Sequence, residues 1–356
     1  MFLCTRCKER LSYSDSSSIG DKGVCDLCGN VLERIDDYFE MFSEEARHYD
    51  FSTFLIGLRT PRENLLREKE IIEKSGRNVK SYKEEFQVAL GSKIERELHY
   101  RAEFAKPELT FIVNQENMDY SLWIKPLFLR GRYVKKRRGI PQSPWIKPGK
   151  GKEMERSISE YIGQPICDAL DGRDYNFFAS GREDVDALML GTGRPFYVEV
   201  KNPKKRSVDI TKVSEEVQRK SGDGVEVLEL SPADSVEIDH MKNLRLDKVY
   251  EVGITIEGKD IGDIEEVLKN HTDFKISQKT PLRVLNIRKD KVRDRTIRSI
   301  DVKSTSGKQL ILLIKAEAGT YIKEFITGDN GRTVPNLKDE LDVNVKIDYL
   351  NVLEVK

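Results

Sequence analysis

Gly181-Arg182-Glu183-Asp184-Val185-Asp186-Ala187-Leu188-Met189-Leu190-Gly191-Thr192-Gly193-Arg194-Pro195-Phe196 sets three carboxylates and two arginines into sixteen residues. Asp174–Ser180 before it and Phe196–Val200 at its end both read as strands, so the acids fall on a turn between strands. Gly181 allows sharp backbone geometry there. An acid beside an arginine carries little weight alone, because an exposed ion pair contributes only about 0–1 kcal/mol. Its meaning depends on what surrounds it.

Downstream, Val225–Leu230, Val249–Ile256, Arg283–Arg288, Thr296–Thr305, Gln309–Ala316 and Val345–Val355 read as strands. Helices are expected over 153–169, over Asp263–Asn270, from Thr320, and near Asn336–Leu341. Many strands with few helices predict an α+β domain around a mixed or antiparallel sheet. Upstream, Phe51–Leu58, Glu108–Asn114 and Ser121–Leu129 read as strands, while Pro61–Lys74 and Lys80–Arg101 read as helices. This is a second α+β unit.

At 356 residues the chain is long enough for two or three domains. Lys plus Arg and Asp plus Glu each number 61, so global charge does not mark a nucleic-acid partner and local distribution must. Charged residues make up 34% of the chain, which fits surface ion-pair networks. No apolar run approaches the roughly 18 residues needed to span a bilayer. Met1-Phe2-Leu3 runs into Cys4, Arg6 and Lys8 without an apolar core, so no membrane partner and a cytoplasmic location are expected.

Cys4-x-x-Cys7 and Cys25-x-x-Cys28 can bring four thiolates to one point, as tetrahedral zinc requires. A structural zinc is expected, with a redox pair or an abandoned metal site as the other reading. Residues 1–34 are too few to build a core of their own without metal. Cys167, unpaired in an expected helix, reads as core.

Nine basic residues and no acid fall between Arg130 and Lys152, among them Arg132, Lys135, Lys136, Arg137 and Arg138. Tyr133 and Trp145 interleave with them. A solvated loop is the plain reading of such a run. In a chain of zero net charge it also reads as a surface for RNA phosphates and bases.

Two later stretches join the turn: Lys279-Thr280-Pro281-Leu282-Arg283-Val284 and Gly319-Thr320-Tyr321-Ile322-Lys323. With Gly181–Asp184 they resemble pseudouridine synthases, and nearly the whole chain is similar to the archaeal tRNA pseudouridine synthases of family ten. The resemblance implies a zinc module over 1–34, a THUMP-like α/β RNA-binding domain over 35–148 and a catalytic domain over 149–356. It implies tRNA as partner, at uridines fifty-four and fifty-five of the T-arm, with no organic cofactor and no obligate protein partner. Asp184 would act as nucleophile or base, with Arg182 on a phosphate or in the vacated stack. Lys323 would take the position of a basic residue set against the catalytic acid, and Tyr321 would line the uridine pocket. Tyr250, in Lys248-Val249-Tyr250, would stack on the base, though it also reads as an ordinary strand aromatic. Leu337 would pack under the base or serve as core. Arg194 in Gly193-Arg194-Pro195-Phe196 would contact RNA.

The chain departs from the family in having Leu188 where an arginine is usual and Lys323 where arginine is usual. Glu183 and Asp186 read as structural acids. The turn carries no Gly-rich cofactor loop of a methyltransferase, and the chain has neither a zinc-deaminase motif nor a P-loop. The remaining alternative is a structured-RNA-binding protein without turnover.

Overall fold

The structure is a computed structural model describing residues 1–11, 23–75, 78–147, 151–152, 156–258, 264, 267–268, 272–286 and 288–356. The chain divides into two compact units. Met1–Pro126, Leu170–Asp174 and Val200–Val208 form the first; Leu127–Ala169, Tyr175–Glu199 and Asp209–Lys356 form the second.

In the first unit, strands β1 (Thr53–Arg59), β2 (Arg101–Ala102), β3 (Leu109–Asn114) and β4 (Asp119–Ile124) form a sheet in the order β2-β1-β3-β4. Its helices are α1 (Thr5–Leu11), α2 (Ile35–Ala46), α3 (Arg62–Ser75) and α4 (Tyr82–Leu98). Period-two alternation buries Phe54, Ile56 and Leu58 of β1 and Leu109, Phe111 and Val113 of β3. Helix α4 starts at a capping box, where the Ser81 side chain accepts from Glu84 N and Glu84 returns a bond to Ser81 N. Tyr82, Phe86, Leu90 and Ile94 then fall on one face and are fully buried. Cutting Phe86 to Ala would cost about 3–5 kcal/mol.

All four N-terminal cysteines belong to this same core, with Leu27, Val31, Leu32, Tyr38 and Phe86. The described residues of the N-terminal segment, the metal-ligand candidates among them, thus share one apolar interior with the sheet.

In the second unit the strands are β5 (Leu127–Lys135), β6 (Ile146–Lys147), β7 (Gly151–Lys152), β8 (Asp174–Ala179), β9 (Leu188–Lys201), β10 (Val225–Ala233), β11 (Lys248–Glu257), β12 (Phe274–Lys279), β13 (Val292–Ser306), β14 (Gln309–Ala316), β15 (Thr333–Val334) and β16 (Asn344–Val355). A ten-stranded sheet runs β10-β5-β9-β16-β11-β14-β13-β12-β15, with β8 paired to β9. β16 and β9 pair in parallel, while β11 pairs antiparallel with both β14 and β16. The sheet is mixed, as the strand-rich pattern predicts. Helices α5 (Ile158–Ala169), α6 (Ile210–Ser221), α7 (Ser235–Asn243), α8 (Ile322–Thr327) and α9 (Leu337–Leu341) accompany it. The helix expected over 263–270 lies largely outside the described residues.

Two expectations are corrected. The run Ser121–Leu129 is two strands in two sheets, split before Leu127 at Lys125-Pro126, because proline ends the β4 ladder. The first compact unit's long N-terminal stretch ends at this same Pro126. Arg283–Arg288 is not a strand: Leu282–Val284 form a 3₁₀ turn after Pro281.

Candidate active site

The turn between β8 and β9 is held from below by buried charge. Glu183 receives Arg194 Nε at 2.8 Å and the Tyr133 hydroxyl at 2.9 and 3.1 Å. Arg194 also donates to the Ser180 carbonyl at 2.7 Å. Lys135 Nζ lies 3.9 Å from Glu183 and donates to the carbonyls of Ile140, Asp184 and Val185 at 3.0, 3.1 and 3.3 Å. The side chains of Glu183, Arg194 and Lys135 are each 1% exposed, so this cluster has little water to screen it. Burial pulls the Lys135 ammonium below its usual pKa, a fall that Glu183 opposes, and burial drives the Tyr133 phenol well upward. Gly181 has φ +77°, and a Cβ there would meet Lys248 Nζ at 3.2 Å and Arg194 Nη1 at 3.3 Å. The positive φ favours glycine at that position, and any side chain there would also have to push back the two cationic groups by a few tenths of an ångström. Glu183 is thus the structural acid of the turn, and Asp184, next in the chain, points the other way.

Asp184 faces a hollow of about 260 Å³ lined by Arg182, Lys248, Tyr250, Arg283, Tyr321 and Lys323, with Val284, Ile322, Leu350 and Val352 as its apolar wall. Arg283 Nη1 is 3.0 Å from Asp184 Oδ1, and Lys323 Nζ is 3.3 Å from Oδ2. Lys323 is closer still to Asp186, 2.8 Å from each oxygen. Lys323 reaches this place because Tyr321 is the N-cap of α8 and is fixed on both sides of its peptide by Gln278, each bond 3.0 Å. The Tyr321 hydroxyl accepts from Arg288 at 3.1 Å. On β11, Lys248 and Tyr250 are two positions apart and so share a face. Tyr250 is paired with Val352 of β16, on the apolar wall. Burial pushes the Tyr250 phenol up to about 12, and burial together with Arg194 pulls the Lys248 ammonium down to about 8.

Asp184, Arg182, Tyr250, Tyr321 and Lys323 therefore meet around one hollow, although the sequence scatters them over about 140 positions. Other assignments are corrected. Leu337 is fully buried at the start of α9 and lines no part of the hollow; Leu350 and Val352 take the apolar place. Arg194 and Lys135 are interior cations, not phosphate contacts. Arg132 staples backbone, donating to the carbonyls of Thr192, Gly193 and Val355 at 2.5, 2.9 and 2.9 Å. Arg138 is exposed yet donates to the Asp186 and Leu350 carbonyls and to Asn351 Oδ1. Lys136, paired with Glu226 at 2.5 Å, and Arg137 stay on the surface. Lys147, Lys150 and Lys152 have no described side chains. Arg283 is the residue the sequence reading missed. It lies inside the Lys279–Val284 stretch, and the proline two residues before it marks a loop that can carry a side chain off the sheet.

Separately, the Sγ atoms of Cys4, Cys7, Cys25 and Cys28 lie within 4.8 Å of one another, all buried and none in a disulfide. Cys4 and Cys28 are 3.5 Å apart. Four thiolates tetrahedral about a metal at about 2.3 Å would be separated by about 3.8 Å, so the cluster fits one metal ion.

The family model described as "Pus10, C-terminal" matches residues 128–356, and "Pus10 THUMP domain, archaeal" matches residues 38–114. Among curated relatives, the "tRNA pseudouridine synthase Pus10" of Methanopyrus kandleri is 34% identical, with 93% of this chain and 80% of the relative covered. That of Archaeoglobus fulgidus is 32% identical over 98% of this chain and 99% of the relative, and that of Pyrococcus furiosus 36% over 97% and 87%. A chain in a crystal structure of a Cbf5-Nop10-Gar1 complex aligns with 63% of this chain and 58% of its own length at 18% identity and a TM-score of 0.33. The family matches and the relatives make the chain a pseudouridine synthase, an isomerase, carrying a THUMP domain and a cysteine cluster able to hold a metal. The chain belongs to the Pus10 family.

Proposed function

We propose that this enzyme converts uridine to pseudouridine in tRNA, at positions fifty-four and fifty-five of the T-arm, with Asp184 as the nucleophile. The observation that carries the reading is the placement of the Asp184 carboxylate in the hollow between two cations, with Tyr250 on the adjoining wall. The tRNA substrate is supported by the names of the relatives.

A uridine in a folded arm must leave its stack to be reached. Tyr250 offers a ring for the everted base, and the exposed Arg182 at the rim offers a guanidinium to its phosphate or to the emptied stack. Asp184 attacks the ribose C1′, and the C1′–N1 bond breaks with its electron pair leaving on uracil N1. The uracil turns, C5 bonds to C1′ and displaces the carboxylate, and the C5 proton is lost while N1 gains one. Atoms and charge balance with no oxidant, so the chemistry asks for no organic cofactor. Phosphate contacts come from the exposed Lys136 and Arg137.

The cysteine cluster holds a structural zinc: four thiolates close the coordination shell and leave no position for a reacting water. No helix among the described residues is long and apolar enough to cross a membrane. A cytoplasmic location goes with the proposed tRNA substrate. The test is Asp184→Ala, which should retain tRNA binding and form no product. Product from that variant would overturn the nucleophile assignment.

A further inference from the structure

The two cations on Asp184 are not held alike. Arg283 takes Oδ1 at 3.0 Å while its Nε is fixed 2.7 Å from Glu324 Oε1, a carboxylate whose side chain is only 6% exposed. Lys323 takes Oδ2 at 3.3 Å but sits 2.8 Å from both oxygens of Asp186. Arg283 is therefore anchored to Asp184 through a buried second partner. Lys323 is drawn away from it by an exposed one.

A carboxylate oxygen in full contact with a cation has its lone pairs committed and must shed that contact before bonding to carbon. We infer that Asp186 is a positioning residue that holds Lys323 off Asp184, leaving Oδ2 as the oxygen that attacks while Arg283 retains Oδ1. This rests on the reading of Asp184 as nucleophile. In the step concerned, an Oδ2 lone pair forms the bond to C1′ as N1 departs with the C1′–N1 pair. Lys323 remains near enough to offset the charge of the carboxylate before it reacts, yet does not occupy the reacting oxygen.

Asp186 is suited to the role. Its own place is fixed through the backbone, because its carbonyl accepts from Arg138 and the neighbouring Val185 carbonyl accepts from Gly139 N at 2.9 Å. Burial alone would raise its carboxyl pKa, but the Lys323 bond and charge bring it below the ordinary value, so it keeps the charge needed to compete for the ammonium. Its side chain is 71% exposed, which lets it be altered without opening the core.

The experiment is a cycle of Asp186→Asn, Lys323→Gln and the double variant, assayed over a range of unmodified tRNA concentrations up to saturation, with Asp184→Ala and Asp186→Glu alongside. With Asp186 neutralised, Lys323 closes onto Asp184, and kcat should fall about three- to tenfold with KM held within about twofold. Asp186→Glu should recover most of the rate. In the Lys323→Gln background, Asp186→Asn should add no further loss. An unchanged kcat for Asp186→Asn, or a loss that persists in full without Lys323, would overturn the inference. Turnover by Asp184→Ala would instead remove the nucleophile reading beneath it, so the two failures are distinct.

Discussion

Arg283 and Asp184 are 99 positions apart in the chain and 3.0 Å apart in space. Arg283 Nε simultaneously holds Glu324 Oε1 at 2.7 Å. Those two carboxylates keep the guanidinium charged well above its already high ordinary range, against the opposing effect of burial. One loop residue thus ties the Asp184 turn to the helix that carries Lys323, and the carboxylate is held from two elements rather than one.

Replacing Arg283 by Lys keeps the charge but removes the fork that spans both acids. Because a misplacement of about 1 Å in a reacting group can cost about a hundredfold, kcat is expected to fall tenfold to a hundredfold. Filter binding of tRNA should change little. A variant that loses affinity and keeps kcat would make Arg283 an RNA contact instead.

Glu183 is expected to matter through stability. Glu183→Gln leaves Arg194 and Lys135 buried without their counter-charge, and removing one partner of such a group costs about 3–5 kcal/mol. Thermal unfolding should show a clear drop in midpoint, and a variant as stable as the parent would mean that water or backbone alone satisfies those cations.

Lys248 carries a pH signature. Its ammonium is lowered from 10.5 to about 8 by burial first and Arg194 second. A folded-state pKa below the unfolded one means the unfolded chain binds more protons between those values, so folding is penalised in full below about 8 and the penalty fades as pH rises toward 10.5. Lys248→Met should therefore stabilise the protein at pH 7 by about 1–3 kcal/mol, and its advantage should shrink through that window. An advantage that is constant with pH would contradict the assignment. The parent residue's cost is consistent with a role in the hollow.

Much of this site was legible in the sequence, and the misses have physical causes. Asp184, Tyr250, Tyr321 and Lys323, which the resemblance picks out of short motifs, do line one hollow. Arg132, Lys135 and Arg138 read as RNA contacts because a basic run looks the same whether its cationic groups meet phosphate or carbonyl oxygen, whereas Arg194 reads so only by the resemblance of Gly193–Phe196. Only the pairing of β5 with β10 decides this, by turning Tyr133 and Lys135 inward beneath the Glu183 turn. Leu337 and Leu350 are equally apolar. The register that pairs Val252 with Leu350, and Tyr250 with Val352, puts one of them on the wall of the hollow, and that register is non-local. α7, opened by the Asp234 and Glu237 capping box, was missed although its signal lay in the sequence.

Metal removal should act on the first unit. A strong chelator, or Cys4→Ser, is expected to release about one zinc per chain and to lower the unfolding midpoint, since the cysteines are part of that unit's core. Turnover of a short T-arm hairpin should survive, because the ion has no place among the residues around Asp184. Loss of hairpin turnover in a chain whose second unit remains folded would tie the metal to the chemistry.

Lys136→Gln with Arg137→Gln should weaken tRNA binding and reduce the slope of log affinity against log salt by about 0.7–0.9 for each phosphate that the two side chains neutralise. An unchanged slope would mean that these side chains meet no phosphate.

The central claim is that the Asp184 carboxylate carries out the isomerisation at the T-arm. Its most direct test is incubation of the parent enzyme and Asp184→Asn with unmodified tRNA, followed by mapping of pseudouridine at single-nucleotide resolution. The expected result is conversion at positions fifty-four and fifty-five by the parent and none by the variant, with both binding tRNA alike. Pseudouridine formed by Asp184→Asn, or conversion by the parent at neither position, would contradict it.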